Sequence, residues 1–568
     1  MKKKKDKQHG SSRREFVRTT AVGLGATAFA GIGTHGFPAR LAAQGRRQWD
    51  HVADVVVVGA GATGLPAAIE AIESKASVIM IEQNYDIGGH AMGSGAGCPL
   101  GGGTSLQEKY GIEDSPDRYF SDIVNIHDFR FCDRDIIRAF CDESAPTFEF
   151  LVRHGVVYPD RPPTLGQRGQ FGPDGVTIPR YSGPVWNGGV SAFSPWGANG
   201  TALVRPLEDS ARKLGAQILL EHSLTGIVRE NPFSGRVLGI TATSNGKTLS
   251  IQARKGVIVA TGGHSANVNF RRIFDPRLTE EYACMCEPYA YQSGDAEIAA
   301  MQIGASLWGA ANPTLDRTVR LWYLEKARQI GCKYLTSGKA ELVNSPIFHL
   351  LRATGLPVGT SGAVVRPAAH EGVIHVNQVG LRFVDETAPE LAWLNPALAL
   401  NGETGNGGGP IWAIFDADTA KRRRWVCTPP YVDPDGYFFS GETLAELARN
   451  IVNKHQKRPM PAGALQETVD RYNSFVDGGK DEDFGRPTPK YKIQTPPFYA
   501  GWFTPYAHDS YAGLRINAKA QVIDLFGEVI PGLYCGGESS GGFNLHGLAR
   551  CHVQGRIAGR EAARSSLT

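Results

Sequence analysis

Two stretches of the 568-residue chain combine residue types that make chemical sense only around a bound molecule. In the first, Asp54–Val58 runs into Gly59, Ala60, Gly61 and Gly64, spaced G-x-G-x-x-G, and the run "SVIMIE" ends in Glu82, 18 residues after Gly64. Glycines at that spacing allow a tight turn and let a pyrophosphate approach the unpaired N–H groups that open the next helix. The acidic residue at the end of the following strand is placed to accept the ribose hydroxyls. In the second, "IGGHAMGSGAG" at 87–97, His90 and Ala91 stand among Gly88, Gly89, Gly93, Gly95 and Gly97. This is a backbone suited to lie flat against a ligand, with a single imidazole in it.

The elements that hold these residues can be read from periodicity. Asp54–Val58 and 77–82 read as strands, and the segment from Leu65 to Ile72 between them has helical spacing, so 54–83 is a strand–turn–helix–strand unit. "GVIVATGGHSAN" (256–267) is another strand ending in glycines, and helical spacing recurs in 442–454 and 463–476. A hydrophobic content of 42% over 568 residues is enough for two or three domains, and the 69 glycines are dispersed, which indicates turns rather than low complexity. The net charge of +4 comes largely from Lys2–Lys5, Lys7, Arg13, Arg14 and Arg18; the rest is near neutral, which argues against nucleic-acid binding. Nine cysteines at loose spacing do not form a disulfide framework, Cys284-x-Cys286 alone is a weak metal signal, and no metal site is expected. There is no C-x-x-C-H for a c-type haem and no apolar run long enough to span a bilayer.

The N-terminus has a basic start, "SRREFV" (12–17), an apolar run "AVGLGATAFAGIG" (21–33) and "ARLAAQ" (39–44). It resembles a twin-arginine export signal, with 1–43 as the signal peptide, and implies a periplasmic or otherwise extracytoplasmic protein that folds before export.

From residue 50 onward, four segments in order, "DVVVVGAGATG", "GGHAMGSGAG", "GVIVATGGHSAN" and "GEVIPGLYCGGESSGG", resemble the fumarate reductase/succinate dehydrogenase flavoprotein superfamily, which includes the 3-ketosteroid dehydrogenases. The resemblance is supported by "GDAEIAAMQIGASL", "HVNQVGLRFVDETAP" and "LQETVDRYNSFVDGGKDEDFGRP". It implies an α/β protein whose Rossmann-type FAD-binding domain (46–305 and 498–568) carries an inserted α+β capping domain (306–497). Substrate would bind between the cap and the flavin. It implies FAD contacts at Gly89, Ala91, Gly95 and Gly97, and further ones at Asp295 and Glu538. His90 falls in the register of the histidine that succinate dehydrogenases join to the flavin methyl group. Two readings stand: an 8α-histidyl bond, or a hydrogen bond from the side chain.

Where fumarate reductases read R-F-M-N-E-x-x-x-R and ketosteroid dehydrogenases end the motif in Tyr, this chain reads "RFVDETAPE", placing Glu390 at the proton-transfer position. The fumarate reductase relay T-E-x-x-R-G is also replaced, by "VRPAAHEG". A carboxylate there suits proton abstraction beside a carbonyl better than donation to an alkene, and would repel a dicarboxylate. His508 matches the family's substrate-binding histidine; Tyr499, Tyr506 and Tyr511 are available donors. His546 and Arg550 are candidates to stand in for a missing substrate arginine, and the helix starting near Cys551 would point its N-terminus at the flavin C2 carbonyl. Tyr158, Phe171, Tyr181, Trp186, Phe193 and Trp196 are packing residues or pocket walls for a ring-shaped substrate. The expected activity is FAD-dependent dehydrogenation of a carbon–carbon bond next to a carbonyl in a cyclic, largely apolar small molecule, with electrons leaving to a separate cytochrome, a quinone or oxygen. The alternatives are an ene-reductase of an unsaturated acid fed by a cytochrome, and a flavin-binding electron-transfer subunit without its own substrate. Replacing Arg13 and Arg14 by Lys should leave flavin-loaded protein in the cytoplasm, read by fractionation of the expressing cells; unchanged export would remove the signal.

Overall fold

The computed structural model describes residues 48–566 except 127–131, 166–177, 186–199, 277, 283, 285–289, 310–314, 317–370, 388–409, 424, 426, 429–431, 433–435, 457, 505, 508–509, 544 and 546. The elements below all lie in the contact-dense unit Trp49–Thr568. The run of valines in β1 (His51–Val58) is buried along its second half, as expected of a strand covered on both faces. Helix α1 (Gly64–Glu73) returns the chain to β2 (Val78–Ile81), which pairs parallel to β1 with Val55 opposite Val78. Helix α2 (Arg134–Arg153) follows, and β3 (Gln217–Leu219) extends the parallel sheet beyond β2.

A three-stranded meander comes next: β4 (Ser223–Asn231), β5 (Ser234–Ser244) and β6 (Lys247–Val259). The β5–β6 turn uses Asn245 and Gly246, both with positive φ (49° and 75°), the backbone that a two-residue hairpin requires. The second half of β6 then pairs parallel to β1, so one long strand joins the meander to the main sheet. Helix α3 (Asp295–Met301) follows. At the C-terminal end of the chain, β11 (Gln521–Ile523) and β12 (Val529–Cys535) complete the order β11-β12-β6-β1-β2-β3, and α6 (Ala549–Arg564) packs against α1. This is the expected mixed α/β architecture with a largely parallel sheet.

The inserted part has its own antiparallel sheet, in the order β7-β8-β10-β9: β7 (Ile374–Val376), β8 (Trp412–Asp416), β9 (Phe438–Gly441) and β10 (Phe498–Trp502). Helices α4 (Leu444–Asn450) and α5 (Ala462–Gly478) contribute Leu447, Leu465, Val469 and Tyr472 to a core on one face, where Trp412 and Trp502 meet edge to face at 5.5 Å. The other face gathers Phe415, Phe503 and Ala507 with Leu278 and Tyr282 from the flavin side.

Both domain boundaries expected from sequence shift. The cap was expected to end at 497, yet Phe498–Trp502 is a central strand of the cap sheet, with Phe415 opposite Tyr499 and Phe439 opposite Ala500. The apolar string that looked like a return to the flavin is alternation across that sheet. At the other boundary, Leu307–Trp308 pairs with Gly513–Leu514, so the chain is still on the flavin side beyond residue 305. Among the described residues, no helix is long and apolar enough to cross a membrane.

Candidate active site

The site grows from the ends of β1, β2 and β6. After Val58, Gly59 turns with φ of +100°, and a side chain there would lie 2.4 Å from the Ala260 carbonyl oxygen. Gly64 opens α1 so close to the turn that a Cβ would lie 1.9 Å from the Gly59 oxygen. The result is a helix N-terminus facing a cleft of about 1370 Å³, part of it open to solvent, lined at this end by Gly59, Gly61 and Glu82. Glu82 is buried and accepts hydrogen bonds from the Ala60 N–H (2.9 Å) and the Asn84 N–H (3.0 Å); burial raises its pKa above the ordinary carboxylate value. Ala60 and Gly64, expected as cofactor contacts, lie outside the cleft lining: Ala60 holds Glu82, and Gly64 lets the helix start.

Gly89, His90, Ala91, Gly95 and Gly97 all line the same cleft, as do Asp295 and Glu538. Tyr181 lies over Gly97 so closely that a Cβ there would be 1.5 Å from its hydroxyl. His90 Nδ1 lies 3.3 Å from a Glu538 carboxylate oxygen and 3.0 Å from Gln292 Nε2, and Gln292 also donates to Glu538. Gln292 was not anticipated, because a lone glutamine three residues before Asp295 carries no motif. The carboxylate of Glu538, expected as an FAD contact, faces His90 and Gln292.

The far end of the cleft is the N-terminus of α6, through Gly547, Leu548, Arg550 and Cys551. Helices α1 and α6 run side by side in the same direction. A Cβ on Gly555 would lie 2.2 Å from the Thr63 oxygen, and one on Gly559 2.2 Å from the Ala67 oxygen. Since α6 begins six residues before Gly555, its N-terminus extends roughly 9 Å past that of α1. The cleft therefore offers two helix N-termini, one behind the other. Arg550 is buried at the second; its Nη atoms donate to the Phe543 oxygen (2.6 Å) and the Ser510 oxygen (2.8 Å), while Nε has no hydrogen-bond partner among the described residues. Behind the wall, His264 and Glu297 are fully buried 3.6 Å apart, and burial raises the Glu297 pKa.

The remaining catalytic candidates separate. Tyr499 is outside the cleft lining; its ring stacks on Phe415 at 5.2 Å, on the face of the cap sheet that also packs against Leu278 and Tyr282. Tyr511 lies outside that lining too, with the Arg550 guanidinium 5.3 Å from its ring centre. Tyr158 packs on Phe148 at 4.6 Å. Glu390, His508, His546, Phe171, Trp186, Phe193 and Trp196 lie outside the described residues, as does the side chain of Tyr506. What is described is the anchor leading to Glu390: Arg382 makes paired bonds to Glu386 (2.8 and 2.9 Å) and one to Asp481 (2.8 Å), and Arg486 reaches Glu386 at 3.2 Å. Asp481 and Arg486 come from "KDEDFGR", about a hundred residues away, and periodicity gave no hint of them.

A cleft with two helix N-termini, a buried carboxylate at one end and an unpaired guanidinium N–H at the other fits a long dinucleotide with a polar ring. A family model described as an FAD binding domain matches residues 54–313 and 343–550. The "Fumarate reductase (cytochrome)" of Shewanella frigidimarina is 28% identical over 526 residues, covering 90% of this chain and 77% of that protein. The "3-oxosteroid 1-dehydrogenase" of Mycolicibacterium smegmatis is 26% identical over 584 residues, covering 86% and 92%. The structure of 3-ketosteroid Δ1-dehydrogenase from Sterolibacterium denitrificans superposes with a TM-score of 0.66 at 20% identity, over 91% of this chain and 100% of that one.

As a carboxylate Glu82 would accept two ribose hydroxyls on top of its two N–H partners, a capacity that protonation reduces, so FAD affinity should fall as pH drops through its raised pKa. Bound FAD favours the ionised form, and the loss begins above the ordinary carboxylate range. Glu82→Gln should bind FAD about tenfold more weakly at neutral pH and show a flatter decline toward pH ~5, measured by quenching of FAD fluorescence on titration with apoprotein.

Proposed function

The chain belongs to the FAD-binding-domain family, an FAD-dependent oxidoreductase acting on carbon–carbon bonds, and from that premise we propose that it dehydrogenates a bond next to a carbonyl in a cyclic, largely apolar molecule. The observation that carries this reading is the carboxylate at position 390, four residues beyond Glu386, which is buried between Arg382 and Arg486. That clamp is rigid and neutralised within itself: the two arginines are matched by Glu386 and Asp481, and Arg382 is committed to structure. The residue that the sequence places at the proton-transfer position, where fumarate reductases carry an arginine, is Glu390. A carboxylate takes a proton more readily than it gives one at neutral pH.

FAD, when bound, would accept the hydride. Glu390 would remove the proton from the carbon beside the substrate carbonyl, with His508, Tyr499 and Tyr511 as the candidate donors that polarise that carbonyl. Tyr181, against Gly97 in the cleft wall, is an aromatic wall for a ring-shaped substrate. Export by the twin-arginine route, and electron delivery to a separate carrier, belong to the same proposal. So does a bond from His90 to the flavin methyl group. Nδ1 faces both Glu538 (3.3 Å) and the Gln292 amide (3.0 Å), which leaves Nε2 as the ring nitrogen for such a bond.

Two outcomes test these assignments. Glu390→Gln keeps the shape but cannot accept the proton. It should bind FAD as wild type and lose about 10²–10⁴ of the anaerobic flavin-reduction rate, with Glu390→Asp keeping part of it; a rate within about threefold of wild type removes Glu390 from the reaction. For the link, acid precipitation should leave the yellow colour with wild-type protein and release it from His90→Ala. Complete release from wild type makes His90 a non-covalent contact.

A further inference from the structure

Gln292 is a buried amide in contact with two of the ionisable groups that line the cleft. It is 3% exposed, and its backbone oxygen accepts the Ala266 N–H (3.0 Å). Gly262 leaves room for its side chain, since a Cβ there would lie 3.4 Å from Nε2. Which way the amide points follows from its partners. The Glu538 carboxylate can only accept, so the Gln292 NH₂ group faces it. Oε1 is then turned to the Cys284 thiol, a donor, at 3.5 Å.

The same NH₂ group lies 3.0 Å from His90 Nδ1, closer than the Glu538 oxygen at 3.3 Å. These two neighbours make opposite demands on that nitrogen. Gln292 presents hydrogens, and is satisfied when Nδ1 is the bare nitrogen of a neutral ring whose proton sits on Nε2. Glu538 presents lone pairs, and is satisfied when Nδ1 carries the proton. A proton on Nδ1 would also point toward the Gln292 hydrogens, so the amide opposes that form.

The difference matters for a bond to the flavin, which joins Nε2 to the methyl carbon. One proton leaves that carbon and one leaves the imidazole. The two electrons left on the flavin ring pass with them to dissolved oxygen as hydrogen peroxide. With the ring proton on Nδ1, Nε2 has a free lone pair for this step, and Glu538 stands beside Nδ1 to receive the imidazole proton. With the proton on Nε2, that lone pair is occupied.

We propose that Gln292 holds the His90 proton on Nε2 and so restrains the bonding of His90 to the flavin methyl group. Gln292 acts through His90, as a positioning residue. The effect on bonding rests on the His90–flavin bond of the proposed function; the position of the proton does not.

Protein made in riboflavin-starved cells, free of FAD, serves for two measurements. In the first, histidine labelled with ¹⁵N reports by NMR which ring nitrogen carries the proton, the His90 signals being those lost in His90→Ala. Wild type should carry it on Nε2. Gln292→Leu and Gln292→Met, which remove the N–H donor at similar volume, should carry it on Nδ1, and either serves if the other folds poorly. In the second, each protein is mixed with saturating FAD in air and precipitated with acid at intervals. Both variants should gain acid-stable flavin about tenfold faster than wild type, the order of effect that one hydrogen bond supplies. The same protonated nitrogen in wild type and variants, or attachment at the wild-type rate, overturns the proposal. If no protein gains acid-stable flavin, the His90 bond is contradicted, and the NMR result alone decides whether Gln292 sets the proton.

Discussion

The contact on which the site depends is between two helix backbones. Gly555 and Gly559 let α6 approach Thr63 and Ala67 of α1 until a methyl group on either would lie 2.2 Å from a carbonyl oxygen. Approach this close is possible only without side chains, and it fixes the sliding of one helix along the other as well as their separation. The register offsets the two N-termini, so one cleft meets two sites of partial positive charge. The pairing is reinforced by Arg556, which reaches Glu70 on α1 at 2.9 Å and Thr147 on α2 at 3.0 Å. Added bulk at Gly559 would therefore separate the ring end of the site from the phosphate end.

Around this frame, charge is buried in two different ways. In the cap, Arg382 and Arg486 are paired with Glu386 and Asp481. In the cleft, Glu82 is buried with only backbone N–H partners described and Arg550 with only carbonyls. The first arrangement balances its charges within the protein, whereas among the described residues the second leaves them for a ligand. The cofactor thus contributes to the stability of the fold as well as to its chemistry, by mass action on the loaded form.

What could be read from the sequence was what is local. The unit from Asp54 to Glu82 was legible because strand, turn, helix and acid follow one another within thirty residues, and Gly59 and Gly64 each have a carbonyl where a side chain would go. Gly89 to Gly97 was legible as one short glycine-dense run. Glu386 between two arginines was not, since Asp481 and Arg486 join it from about a hundred residues away. Gln292 is an ordinary residue that matters only because the fold brings His90 and Glu538 to it. Alternation in Phe498–Trp502 places Tyr499 on the opposite face of the strand from Trp502, against Phe415, and a string of aromatics does not show which residue belongs to which face's partners.

The central claim is that a bound flavin here takes a hydride from a carbon–carbon bond beside a carbonyl. The most direct measurement is an anaerobic titration of the flavin-loaded protein with saturated cyclic ketones, steroid-like and lignin-like compounds among them, reading the flavin absorbance and the organic product together. The account predicts that one such ketone bleaches the flavin mole for mole and is recovered with a new double bond conjugated to its carbonyl. If no saturated ketone bleaches the flavin, while chemically reduced protein is reoxidised by fumarate or another unsaturated acid, the enzyme runs in the opposite direction and the account is contradicted.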